Sequence, residues 1–181
     1  HEGFVAECEA ALGQAPEGVA LCFGYMPEQQ AAQVDFALAR RAIDTNFTGA
    51  VSILEQFATI FERRRRGFIA AISSVAGDRG RQSNYVYGAA KGALSLYLQG
   101  LRNRLFASGV RVITVKPGFV DTAMTFGLPG LFLVASPQQI GEAIARTPNK
   151  SADVVYLPGF WRYIMLIIKH IPEPIFKRLK L

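Results

Sequence analysis

Cysteine and histidine are nearly absent: only Cys8, Cys22, His1 and His170 occur in 181 residues. Two thiols cannot build a disulfide framework, and the four side chains lack zinc-ligand spacing, so no metal centre is expected. A reducing compartment suits such a chain, and a cytoplasmic location is expected. No secretory signal pattern is present, and the longest apolar run falls well short of the ~20 residues a membrane-spanning helix needs. Charged residues are also sparse, 19% against 50% hydrophobic, which suits an α/β protein with a well-covered sheet.

What is present is one domain's worth of chain, residues 1–181, long enough to bury a sizeable core. A net charge of +6 and a pI near 9.6 suggest an anionic partner such as phosphate, a lipid headgroup or nucleic acid. Much of that excess sits in Arg63-Arg64-Arg65-Arg66 and in the C-terminal tail. Cations at a helix C-terminus interact well with its dipole, and no aromatic platform is interleaved with the run, so no nucleic-acid partner is expected.

The residues that can carry chemistry gather between Ile69 and Lys91. Ile69-Ala70-Ala71-Ile72-Ser73-Ser74 reads as a buried strand delivering a serine to a pocket. Tyr87-Gly88-Ala89-Ala90-Lys91 opens a long helix that continues through Leu94, Leu98, Leu101 and Leu105 and stops near Gly109. Residues four apart share a helical face, so the Tyr87 hydroxyl and the Lys91 ammonium can address one spot. A nearby ammonium favours phenolate and is expected to lower the tyrosine pKa. Tyr87 is then a candidate proton donor and acceptor near neutral pH, with Ser74 a second hydroxyl to polarise a carbonyl.

Around this stretch, a first helix is expected over 1–12 and a strand over 18–25 with a glycine, Gly24, at its exit. A helix follows over 31–64, with a break allowed before Val34; its apolar stripe is Ile43, Phe47, Ala50, Leu54 and Phe57. Asn46 lies off the stripe, where by itself it reads as an exposed polar residue. A strand over 110–115, β-branched except at Arg111, runs into Lys116-Pro117-Gly118-Phe119-Val120-Asp121-Thr122. Proline and glycine turn the chain there, at the sheet edge where ligands of open α/β folds bind. After an apolar, Gly- and Leu-rich loop over 123–137 come a short helix over 137–146, with Ser136 as N-cap, and a last strand over 153–157.

Tyr-x-x-x-Lys with a serine thirteen residues upstream, followed in order by Pro-Gly-x-Val-x-Thr, resembles the short-chain dehydrogenase/reductase family. The resemblance implies an α/β, Rossmann-like doubly wound parallel sheet with helices on both faces, apparently lacking its first βα units. It implies an NAD- or NADP-dependent oxidoreductase interconverting a carbonyl and a secondary alcohol. Tyr87 would transfer the proton and Ser74 orient the carbonyl oxygen. Lys91 would lower the Tyr87 pKa and hydrogen-bond the nicotinamide ribose, and Asn46 would kink its helix and support a water relay. The backbone at Gly24, Pro117 and Gly118 and the Thr122 hydroxyl would line the cofactor, together with Tyr87 and Lys91. The loop over 123–137 would fold over the substrate, and the two long helices would form a homo-oligomer contact.

Two departures stand out. Of the family's Asn-Asn-Ala-Gly after the fourth strand, only the glycine of Leu21-Cys22-Phe23-Gly24 matches. The family's Thr-Gly-x-x-x-Gly-x-Gly turn does not occur in the sequence. The chain is therefore expected to be the later part of a longer protein, short of about 60–80 residues if three βα units precede it, and to bind dinucleotide weakly alone. A non-catalytic scaffold or dimerisation module on the same fold is the competing reading.

The tail over 160–181 mixes aromatic, aliphatic and basic residues, as in Phe160-Trp161-Arg162-Tyr163-Ile164-Met165-Leu166-Ile167-Ile168-Lys169-His170. That composition suits a segment lying on an anionic membrane surface, or equally a helix completing the core or a dimer contact. Its Arg-Tyr-x-Met and His-Ile-Pro pattern, with the surroundings of Tyr87, is similar to the decaprenylphosphoryl-ribose 2-keto reductase branch of the family. That likeness implies a keto sugar carried on a polyprenyl phosphate as substrate; a reductase of another apolar ketone is the alternative.

Overall fold

The computed structural model describes residues 3–127 and 132–179. Residues 1–2 of the expected first helix, 128–131 of the expected substrate loop and 180–181 of the tail lie outside the described residues. Four parallel strands, β1 (Gly18–Leu21), β2 (Phe68–Ile72), β3 (Arg111–Pro117) and β4 (Val154–Leu157), pair in sequence order. Alternation along the strands feeds two cores. Leu21, Ile69, Ala71 and Val112 pack against α1 (Phe4–Leu12), α4 (Gly49–Arg64) and α5 (Tyr85–Phe106). Ala70, Ile113 and Val115 face the other way, onto Ile140 of α6 (Pro137–Ala145). Covered on both faces, β2 and β3 read as near-continuous apolar runs, as parallel strands must.

The strand expected over 18–25 ends at Leu21, because only Gly18 to Leu21 pair with β2. The following residues leave the sheet and line its carboxyl edge. The helix expected over 31–64 is divided into α2 (Gln29–Val34), α3 (Phe36–Ile43), a π-turn (Asp44–Thr48) and α4. Its break falls after Val34: Asp35 is extended and its carboxylate caps α3 by accepting the Ala37 N–H at 2.8 Å. Ala50, Leu54 and Phe57 are buried as their spacing predicts, whereas Ile43 is exposed. The π-turn rotates the helix one residue out of phase, which turns Asn46 inward to full burial instead of leaving it on the surface. Ser136 caps α6 through a reciprocal capping box with Gln139.

The tail forms α7 (Trp161–His170) and α8 (Glu173–Phe176). Trp161 and Met165 are buried against Val75 and Phe119, so this segment completes a third small core. Tyr163, Leu166 and Ile167 point outward from the same helix. Arg79, in the loop after β2, ties the tail down: its guanidinium donates to the Lys169 and Ile171 carbonyls at 3.2 Å and to Glu173 at 2.7 Å, and stacks 4.2 Å over the Phe176 ring. Beside it, the buried Asp78 carboxylate accepts from Lys116 of β3 and from the Tyr156 hydroxyl of β4.

Candidate active site

A cavity of about 400 Å³ opens at the carboxyl edge of the sheet, between the ends of β1, β2 and β3. Ser74, two residues past the end of β2, takes extended backbone and accepts the Ala76 N–H at 3.1 Å, which starts a short 3-10 turn, Val75–Gly77. Its hydroxyl shares the cavity with that of Tyr87, in the first turn of α5, and acts on the phenol to lower its pKa. Ser73 has the other fate: it is buried, donates to the Lys91 carbonyl at 2.9 Å and bonds Ser95 at 2.7 Å. The choice of Ser74 over its neighbour rests on this geometry as well as on spacing.

Lys91 follows Tyr87 by one turn. Its ammonium donates to the Ile72 carbonyl at 2.8 Å and lies 5.9 Å from the centre of the Tyr87 ring. Burial pulls the Lys91 pKa down from 10.5 to about 8. Burial also pushes the Tyr87 phenol above its usual value, and the Ser74 hydroxyl offsets only part of that rise. The expected lowering by Lys91 is thus not the governing effect here: desolvation of the phenolate dominates.

Gly24 sets the floor beside these groups. A methyl group there would come within 3.0 Å of Asn46 Oδ1 and 3.4 Å of Lys91 Nζ, so only glycine keeps the backbone flush with the cavity. Asn46 does not itself line the cavity. Its amide donates to the Tyr25 and Ala42 carbonyls and accepts the Tyr25 N–H at 3.2 Å, which fixes the chain next to Gly24. Pro117, Gly118 and Thr122 form the opposite wall. Gly118 has a packing reason as well, since a methyl group there would sit 1.9 Å from Trp161 Nε1. The Thr122 hydroxyl is exposed and makes a long bond, 3.4 Å, to the Val120 carbonyl.

The structure therefore brings Gly24, Ser74, Tyr87, Lys91, Pro117, Gly118 and Thr122 to one cavity and holds Asn46 behind it. It adds two residues that sequence reading passed over as part of a short polar loop, Arg81 and Asn84. A cation between the strand-end serine and the Tyr/Lys helix was the available signal. The loop over 123–137 is closed at its base by a bridge between Val120 and Ala135, and its Met124 and Thr125 line the cavity. Phe132 packs on Phe119 and Trp161 at 5.7 Å.

Parallel strands with two hydroxyls and an ammonium gathered at their carboxyl edge define a Rossmann-like α/β protein. The short chain dehydrogenase family model matches residues 5–128, and the chain belongs to that family. It is 34% identical over 180 residues to an uncharacterized oxidoreductase of Mycobacterium tuberculosis, covering 99% of this chain and 72% of that protein. An uncharacterized oxidoreductase of Streptomyces coelicolor is 32% identical over 163 residues, covering 89% of this chain and 64% of its own length. Among solved structures, a short chain dehydrogenase from Burkholderia cenocepacia in complex with NADP superposes with a TM-score of 0.83 at 22% identity, over 98% of this chain and 76% of that one. That last likeness concerns the fold.

Proposed function

We propose that this chain carries the reaction centre of an NAD- or NADP-dependent reductase or dehydrogenase that interconverts a carbonyl and a secondary alcohol. The observation that carries the reading is the gathering of the Ser74 and Tyr87 hydroxyls, one helical turn from a buried Lys91, on one cavity at the carboxyl edge of the sheet. The nicotinamide end of the cofactor fits the wall made by Gly24, Lys91, Pro117 and Thr122, where a glycine lets the backbone close on a ribose and an ammonium meets its hydroxyls. When bound, it supplies or accepts the hydride.

The chain's own residues do the rest. Ser74 donates to the carbonyl oxygen and orients it, and Tyr87 delivers the proton as negative charge develops there. Lys91 supplies the positive field that stabilises the phenolate once substrate and cofactor have excluded water. Asn46 keeps Tyr25 and Gly24 in place beside Lys91, and the widened π-turn around it offers a route for a water relay.

For the substrate, the apolar side chains of Phe23, Met26, Phe119, Met124 and Ile140 on the cavity wall favour a carbonyl compound with a hydrophobic portion. A keto sugar on a polyprenyl phosphate answers that description, with another apolar ketone as the alternative. The outward face of α7, Tyr163, Leu166 and Ile167 beside Arg162 and Lys169, supports peripheral contact with an anionic membrane; no helix among the described residues is long and apolar enough to cross one. The exposed Leu96 and the groove between α4 and α5 support a contact with a second copy. The test is nicotinamide oxidation by the full-length protein with a polyprenyl-phosphoryl keto-pentose and with lipid-free apolar ketones. Turnover of either supports the reductase reading, preference for the first supports the lipid-linked substrate, and turnover of neither overturns the reading.

A further inference from the structure

The sharpest unexplained feature of the cavity is a cation without a counter-ion. Arg81 lines the cavity, its Nε is buried without a hydrogen-bond partner, and its guanidinium forms no ion pair with any described residue. A half-buried charge is normally paired, because desolvation is costly and an unmet donor adds to the cost. The acids in neighbouring segments are already engaged: Asp78 by Lys116 and Tyr156, Glu173 by Arg79.

Asn84 makes the same point independently. It occupies the N-cap of α5, where an asparagine side chain ordinarily accepts a backbone N–H of the first turn. Here it does not. The Val86 N–H is taken instead by the Gln29 Oε1 from α2, at 3.1 Å, and Asn84 Oδ1 stays buried, without a partner, on the cavity wall. A residue well suited to capping has been relieved of that task by Gln29, which lies 57 positions before the Val86 it caps, and this leaves the Asn84 amide for something that enters the cavity.

We propose that Arg81 and Asn84, side by side on the cavity wall one turn ahead of Tyr87, anchor an oxyanion, a phosphate or a carboxylate, carried by the carbonyl substrate. The guanidinium supplies two or more charge-assisted donors, and the amide pairs with the hydroxyl or protonated oxygen beside the anion. Position assigns the anion to the substrate and not to the cofactor. Along α5 the Asn84 end lies about 5 Å before the Tyr87 level and Lys91 about 6 Å after it, so Asn84 and Lys91 flank the phenol along the helix. The proposal rests on the reductase reading of Tyr87 and narrows it: among ketones with an apolar portion, those with an oxyanion near the carbonyl are preferred to neutral ones.

Two measurements on the full-length protein test it. The first needs no turnover: calorimetric titration with phenyl phosphate and with benzoate, on the parent, Arg81→Met, Arg81→Lys and Asn84→Asp. Affinity for at least one of the two anions is expected to fall about 10- to 100-fold in Arg81→Met, to return in part in Arg81→Lys, and to fall in Asn84→Asp through like-charge repulsion. Which anion binds more tightly decides between phosphate and carboxylate. The second compares kcat/KM for a phosphorylated ketone and its neutral parent ketone, whose ratio is expected to drop by a similar factor in Arg81→Met, mostly through KM. Arg81→Met should also unfold at a temperature no lower than the parent, since its guanidinium has no partner to lose. Equal anion affinity in parent and Arg81→Met, or a marked fall in its unfolding temperature, overturns the anchor. Arg81-dependent anion binding in a protein that turns over no ketone upholds the anchor while the reductase reading fails.

Discussion

The Lys91 ammonium donates to the Ile72 carbonyl at 2.8 Å, which ties the second turn of α5 to the last residue of β2. Ser74 lies two residues beyond that carbonyl and Tyr87 one turn before that ammonium. The contact therefore sets the spacing between the two reactive hydroxyls as well as the charge beside them.

Tyr87→Phe should lower turnover by about 1000-fold while leaving the fold intact. The lost hydroxyl faces the cavity beside Ser74, and the buried ring that fills the space is retained. Steady-state kinetics with circular dichroism on the same sample checks this, and activity near the parent level would remove Tyr87 from the mechanism.

The adjacent serines should separate cleanly. Ser74→Ala is expected to reduce kcat about 100-fold, as loss of one donor to a developing oxyanion does. Ser73→Ala removes buried bonds to the Lys91 carbonyl and to Ser95, so it should cost about 1–3 kcal/mol of stability. Denaturant titration and kcat on both variants distinguish the two roles; the reverse pattern would reassign the catalytic hydroxyl.

Lys91 gives stability a pH dependence. With its pKa about 8 in the folded protein and 10.5 as the ordinary value, the folded state has released a proton between those values that the unfolded state still holds. The unfolded state binds more protons there, so stability should rise with pH through that window. Burial raises the Tyr87 phenol, which works in the opposite sense only above its ordinary value of 10. The burial-raised Cys22 thiol opposes the rise from its ordinary value of 9.0 upward, so the slope is to be read between about pH 8 and pH 9, as unfolding temperature against pH. Lys91→Met should lack the rise, and an unchanged slope in that variant would exclude Lys91 as its source.

Gly118→Ala places a methyl group where the Trp161 indole sits, 1.9 Å from Nε1. Overpacking of this kind costs about 1–3 kcal/mol and shifts the ring. The sequence contains one tryptophan, so its emission reports the shift directly, and an unaltered spectrum with unaltered stability would show that the tail does not press on the cavity wall.

The gathering of Ser74, Tyr87 and Lys91 at one cavity was readable because they are close along the chain. Ser74, Tyr87 and Lys91 are linked by one loop and one helical turn, and helix periodicity alone places a phenol and an ammonium on one face. The burial of Asn46 could not be read from periodicity, because the π-turn that buries it comes from an added backbone residue, which leaves no mark in the apolar stripe. The sign of the Tyr87 shift was misread for a related reason: sequence shows the neighbouring charge, but not the burial that competes with it.

Sequence by itself determined the parallel α/β order of strands and helices, through continuous apolar runs alternating with striped segments, and the identity of the hydroxyl pair, through spacing along the chain. Only the tertiary structure decided what the remaining polar groups are for. It showed Trp161 of the tail closing a core beneath Gly118, Gln29 relieving Asn84 of its cap, and Arg81 lining the cavity with no ion pair to any described residue. Those outcomes depend on contacts between residues tens of positions apart, and pairing of charges and hydrogen bonds is a property of what meets in space, which neither composition nor periodicity encodes.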